Sequence, residues 1–238
     1  MRLLGFLPGV TTPGGITHQA TDDVALMRAL PNMTVLSCAD ATDLESMLDP
    51  IAAVNGPVYV RMLRGEVPRL FPADQPLVIG QARRLSRGDQ ITIVTEGVCT
   101  EEALRALPVL EANGISVQLL SVSTLKPFDD PRVIDAVCGA TEGVVTLENH
   151  SVIGGLGSAV AEVMAERGAR APLRRLGLQD RWAHGASRPY LLAEYGLDAA
   201  ALIDAVGALL GERLSIDEAS MGEAHAAAMH SLAKPEAL

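Results

Sequence analysis

The chain has 238 residues, 48% of them apolar, and a formal net charge of −10, which is enough material for one large globular domain or two modest ones. The acidic balance disfavours electrostatic binding to nucleic acid or to an anionic membrane, because both would be repelled at long range. No stretch approaches the roughly 18 consecutive apolar residues of a spanning helix, and MRLLGFLPGV is broken by Gly5, Pro8 and Gly9 before a signal-peptide core develops, so a cytoplasmic setting is expected.

In chain order, TVLSC at 34–38 is the first clear strand. Thr42, followed three residues later by Glu45, makes a capping-box pattern ahead of the helical LESMLDPIAAV. GPVYVRM at 56–62 is the second strand, and the Pro- and Gly-containing stretch from Arg64 to Ile91 has no sustained period, so it reads as an interdomain connection with room for short strands. ITIVTEG at 91–97 is followed by a helix opened by Thr100, Glu101 and Glu102, containing Pro108, which should kink it or shift its start, and closed by Asn113-Gly114. SVQLLSV at 116–122, GVVTLEN at 143–149, a helix near 154–168, LRRLGL at 173–178 and a helix near 198–212 complete the series. Apolar runs separated by helices predict a mostly parallel sheet covered on both faces, the α/β class. The expected division is a partial domain at 1–72, a larger domain at 73–213 and a polar, Ala-rich tail at 214–238. With about two strands and two helices, the first part is too small for a self-sufficient doubly wound sheet and reads as starting in mid-domain. Cys38, Cys99 and Cys138 lack any C-x-x-C pairing or nearby histidine and read as small buried hydrophobes.

The segment GGITHQATDDVALMRALPNMTVLSCADATDLESML, followed by GPVYVRMLRGEVP, resembles the second half of the pyrimidine-binding domain of transketolases, especially those split into two polypeptides. TLKPFD at 124–129, TLENHSVIGGLGSAVAE at 146–162, GLQDRWAHGAS and LLAEYGLD continue the resemblance into the transketolase C-terminal domain, in family order, to about residue 212. Deoxyxylulose-phosphate synthases and the beta subunits of 2-oxoacid dehydrogenases share the architecture, but the acidic pair Asp22 and Asp23 after THQ favours transketolase.

The resemblance implies transfer of a two-carbon ketol unit between sugars or sugar phosphates, with thiamine diphosphate as electron sink. A GIAEQ-like motif with its activating glutamate, and a GDG motif with a downstream asparagine for the diphosphate and Mg2+, are not found in the sequence. Both are therefore expected mainly on companion transketolase subunits, with homo-association as well, and no cofactor or metal residue is assigned to this chain. Two rivals remain: a non-catalytic assembly or regulatory remnant of the fold, and a subunit of a related synthase or dehydrogenase.

His18 matches the family histidine of the THQ motif, near the reacting carbon, where it would hydrogen-bond developing oxygen charge or shuttle a proton; the plainer reading is a histidine capping the next helix. Thr17 and Gln19 shape the loop. Arg64 matches the arginine that binds the sugar phosphate through two charge-assisted hydrogen bonds, while Arg61, on the opposite face of the strand, reads as an ion-pair partner. Where transketolases carry an aspartate four residues before the histidine, this chain has Gly14, and a further family histidine aligns approximately with Phe6. Discrimination between substrates should differ accordingly.

Several other features carry two readings each. GGLG at 154–157 is either an anion cradle at a helix start or a tight turn that brings the helix close to the sheet. Glu148, Asn149 and His150 lie at the carboxyl end of a predicted strand, a place for ligands or for docking. Gly88-Asp89 reads as a turn rather than a metal signal. His184 beside Trp182 is interfacial or merely exposed, and His225 and His230 in the tail read as solvated.

Overall fold

The computed structural model describes residues 1–63 and 67–216. The amino-terminal part comprises β1 (Arg2–Gly5), α1 (Asp23–Ala29), β2 (Thr34–Ser37), α2 (Ala41–Ser46), α3 (Leu48–Ala53) and β3 (Val58–Arg61). It continues through β4 (Arg83–Arg84), β5 (Ile91–Thr95), α4 (Cys99–Ala112), β6 (Val117–Ser121), β7 (Thr124–Lys126), α5 (Pro131–Gly139) and β8 (Gly143–Ser151). The described elements end with α6 (Leu156–Arg167), β9 (Leu173–Leu178), α7 (Arg188–Glu194) and α8 (Ala199–Leu210).

All six strands read from apolar runs are present; β2, β3, β5, β6 and β8 are buried on both faces for most of their length, which favours mostly apolar sequences, whereas β9, at the sheet edge, exposes Arg174 and Arg175. They form two sheets, ordered β1-β3-β2-β7 and β4-β6-β5-β8-β9. Parallel pairing runs through β1, β3 and β2, and through β6, β5, β8 and β9, with registers such as Val35 opposite Tyr59 and Ile93 opposite Val145. The short β4 and β7 pair antiparallel at the sheet edges. β7 pairs with β2, so the first sheet is completed from a segment some ninety residues further along the chain.

Local starts and stops explain the helix bounds. The capping box expected at Thr42 and Glu45 lies two residues late: Asp40 is the cap, its Oδ1 accepting from the Asp43 amide at 2.8 Å. Thr42 instead donates its hydroxyl to the Phe71 carbonyl, and Glu45 pairs with Arg69 on the surface. An aspartate side chain is among the strongest acceptors for the unpaired amides of a first turn, and the Thr42 hydroxyl is engaged elsewhere. In α4, Thr100 is the second helical residue rather than the cap, its hydroxyl facing Ser121 of β6 at 3.1 Å. Pro108 is carried inside α4, on a half-exposed face where the carbonyl it leaves unbonded can meet solvent.

The largest apolar cluster lies between the second sheet and α4 and α8, around Ile93, Leu119, Leu147, Leu202 and Val206. Val10, from the loop after β1, is inserted into it with no exposure. A second cluster joins the two sheets through Val35, Tyr59, Val94, Leu120 and Val144, so the amino-terminal part is packed onto the carboxy-terminal one rather than hung beside it. Cys99 is buried in the first cluster and Cys38 in a third, beside Leu36 and Val60, whereas Cys138 is only partly buried; burial pushes the Cys99 thiol well above its ordinary range.

Candidate functional site at the junction of the two sheets

His18 lies on a single 3-10 turn, Gly15–His18, in the loop between β1 and α1, and is exposed. Its Nδ1 is 2.9 Å from the Thr17 hydroxyl. It does not cap α1, whose cap position is Asp22. A Cβ on Gly14 would sit 3.0 Å from the Cβ and Cγ of His18, so glycine at this position leaves the imidazole room to fold back over the turn. Gln19 points inward: its Nε2 donates to the Thr12 carbonyl at 3.4 Å and to the His184 carbonyl at 3.0 Å. On the same side a Cβ at Gly185 would lie 2.4 Å from the Pro13 carbonyl, so the loop around His184 backs the His18 turn by close backbone approach.

The root of the loop is held more firmly. The Gly9 amide donates to the Ala20 carbonyl at 2.7 Å and the Ala20 amide to the Leu7 carbonyl at 3.1 Å, closing the loop at its base. Leu7 is in the left-handed region at φ 59°, ahead of a proline, which costs a leucine about 1 to 2 kcal/mol and requires surrounding contacts to hold it.

Beneath that base lies a buried polar network built from both sheets. Arg61 is 2% exposed and donates to Asp23 at 3.0 Å, to Glu96 at 3.3 Å and to the carbonyls of Ala20 and Asn149 at 2.9 and 2.8 Å. All three of its nitrogens donate internally, in four hydrogen bonds, as a planar five-donor group taken out of water requires. It is the ion-pair partner that the strand alternation suggests, not a ligand residue. Tyr59 donates to Asp23 at 2.6 Å, and Ser37 donates to Glu96. Burial works to raise the Asp23 carboxyl, but the Arg61 charge and the Tyr59 and Arg61 hydrogen bonds outweigh it and hold it below the usual value.

His150 accepts from the Ala25 amide at Nε2 and donates from Nδ1 to the Ser151 carbonyl at 2.7 Å, the pattern of a neutral ring. Burial, helped by the Arg61 charge, lowers its pKa. Glu148 accepts from the amides of Leu156 and Gly157 at 2.6 and 2.9 Å, at the start of α6. Burial pushes it to about 8, against those two hydrogen bonds. The GGLG turn packs close to the sheet, and the place at the start of α6 where its sequence would allow a ligand is taken by the chain's own Glu148 carboxyl group. A Cβ at Gly155 would lie 2.0 Å from that carboxylate.

The filled cradle leaves no place there for a diphosphate. Among the described residues no group of three or more His, Cys, Asp or Glu is arranged to hold a metal ion. Thiamine diphosphate and Mg2+ thus do not fit the residues gathered at this end of α6. Gly88-Asp89 forms a turn closed by Ser116, with Gly88 packed against Val117. His184 is exposed and paired with Glu194 at 2.7 Å. Arg64, His225 and His230 lie outside the described residues. The sequence reading singles out His18, Arg61 and Asn149 but misses Glu96 and Tyr59. The signal for Glu96 was a carboxylate ending an otherwise apolar strand, ITIVTEG; nothing local marks Tyr59.

Comparison with known proteins agrees with this architecture. Residues 4–69 match the family described as "Transketolase, pyrimidine binding domain", and residues 80–202 match "Transketolase, C-terminal domain". The 6-deoxy-6-sulfo-D-fructose transketolase subunit SqwH of Clostridium sp. (strain MSTE9) is 38% identical over 206 residues, 86% of this chain and 63% of that protein. The 1-deoxy-D-xylulose-5-phosphate synthase of Thioalkalivibrio sulfidiphilus (strain HL-EbGR7) is 36% identical over 86% of this chain but only 31% of its own length. A solved structure described as "Split gene transketolase, inactive beta4 tetramer" superposes with a TM-score of 0.80 at 38% identity, covering 88% of this chain and 67% of that one. The chain spans a little over 60% of the length of SqwH. With both domains matched in order and more than half of its length within one of them, the chain belongs to the transketolase family.

Proposed function

We propose that this chain works as the carboxy-terminal section of a thiamine-diphosphate-dependent transketolase-like enzyme that moves a two-carbon ketol unit from a ketose to an aldose. Companion chains supply the diphosphate site, Mg2+ and the activating glutamate. The cofactor, when bound, supplies the carbanion chemistry. His18 then donates a hydrogen bond to oxygen charge that develops during reaction, and Arg64 binds the anionic end of the sugar.

The observation that carries this reading is the His18 turn, an exposed imidazole on a loop closed at its base by backbone hydrogen bonds and backed by buried Gln19. The relative SqwH, by its name, acts on a sulfonated ketose. A sulfonate and a phosphate share the anionic oxygens that a guanidinium recognises. Non-catalytic self-assembly is favoured by a different observation: the solved relative is an inactive tetramer of beta chains.

Calorimetry separates the two readings. Thiamine diphosphate titrated with Mg2+ into the purified chain should give no binding heat, and should bind once companion chains are added, together with ketol transfer. Micromolar binding by the chain alone would overturn the division of labour, and absence of transfer in the reconstituted complex would favour the assembly reading.

A further inference from the structure

The loop that carries His18 begins at the edge of the first sheet, yet its anchor is a side chain of the second. Asn149 has no solvent exposure. Its Oδ1 accepts from the Val10 amide at 2.9 Å and its Nδ2 donates to the Pro8 carbonyl at 3.0 Å, a two-point grip on the loop backbone either side of Gly9. Gly9, between the two gripped residues, has φ 51°, and a Cβ there would lie 2.2 Å from both the carbonyl oxygen and Oδ1 of Asn149. The far end of the loop is tied to the same residue: one Arg61 nitrogen donates both to the Ala20 carbonyl and to the Asn149 carbonyl. Asn149 is fixed in turn, its amide donating to Glu96 at 3.2 Å. Val10 plugs the core beneath.

The geometry points to Asn149 as a positioning residue: a clamp in the carboxy-terminal domain that sets both ends of the 8–20 loop and, through it, the place of His18. The inference rests on the proposed role of His18. The amide side chain accepts through Oδ1 and donates through Nδ2 at the same time across this pair of backbone groups, and removing it orphans the buried Val10 amide. A catalytic group held loosely reacts more slowly even when its own chemistry is intact.

Hydrogen exchange on the full chain tests the clamp without any cofactor. Asn149→Ala should speed exchange at Gly9, Val10 and Ala20 by about tenfold or more, while Ile93 in β5 and Val145 in β8 keep wild-type rates. Gly9→Ala attacks the same contact from the loop side and carries the same test should Asn149→Ala fail to fold. The double variant should be no worse than the worse single one, since a shared contact is lost once. The ring resonances of His18 should move in both variants and stay put in Gly139→Ala, where an added Cβ meets nothing within 4 Å. In the assembled enzyme both clamp variants should lower kcat by about ten- to a hundredfold with KM little changed. Exchange that accelerates equally through β5 and β8 would make Asn149 a general fold residue and overturn the inference, as would wild-type exchange at Gly9 and Ala20. If His18→Ala leaves kcat unchanged while the loop still responds, the clamp stands and the proposed role of His18 falls.

Discussion

His18 and Arg64 occupy different points on the proposed reaction coordinate, and kinetics can tell them apart. In the assembled enzyme Arg64→Ala should raise KM for a phosphorylated substrate about ten- to a hundredfold, the equivalent of about 1.5 to 3 kcal/mol for a charge-assisted contact made in ground and transition state alike. Activity on an unphosphorylated sugar should hardly change. His18→Ala should instead lower kcat with a smaller effect on KM, because only interactions that strengthen in the transition state accelerate the step. Equal losses for Arg64→Ala on both sugars would make it a structural residue. At the buried network the test is pH. A histidine whose folded pKa lies below its unfolded value of 6.5 contributes stability that is complete above pH 6.5 and is lost as pH falls through the folded value. Glu148 acts with the opposite sign, its contribution complete below 4.5 and lost as pH rises through about 8. The two overlap, so His150 is isolated by difference: the melting temperature of His150→Gln, relative to wild type, should improve steadily as pH falls below 6.5. A difference independent of pH would mean that His150 keeps its ordinary pKa.

Among the elements, α6 is the most exacting. Its first turn rests on Glu148, and two of its opening residues must be glycine for the carboxylate to fit. Gly155→Ala should cost about 1 to 3 kcal/mol in urea unfolding, the range for overpacking a filled core. Gly139→Ala, at the open end of α5, should stay neutral or add stability, because alanine is the better helix former. A Gly155→Ala protein as stable as wild type would show that Glu148 can leave the cradle without penalty. Helix starts also show where local reading fails. Thr42 and Glu45 satisfy the capping pattern, but Asp40 takes the cap because Thr42 is wanted by the Phe71 carbonyl, a partner twenty-nine residues away that no local rule contains.

At the scale of the whole molecule, β1 pairs with β3 alone, leaving its other edge open among the described residues, beside exposed Leu4 and Phe6. Open edges and exposed apolar side chains promote pairing with another chain. Light scattering of the purified 25.0 kDa chain should therefore show species larger than one chain, and a clean monomer at high concentration would count against self-association. The sequence by itself determined the α/β class, six of the nine described strands and the motif that contains His18, because strands buried on both faces, as five of these six mostly are, leave mostly apolar runs, and a short loop motif is contiguous in the chain. Only the tertiary structure decided the rest. Strand β7 is three residues long and owes its place to β2. Arg61, Asp23, Tyr59 and Glu96 become one network only when two sheets meet. Asn149 grips Val10 across 139 positions of sequence. Hydrogen bonds of that separation leave no periodicity behind them: each is a match between two surfaces made by different parts of the chain, and it exists only once both have folded and come together.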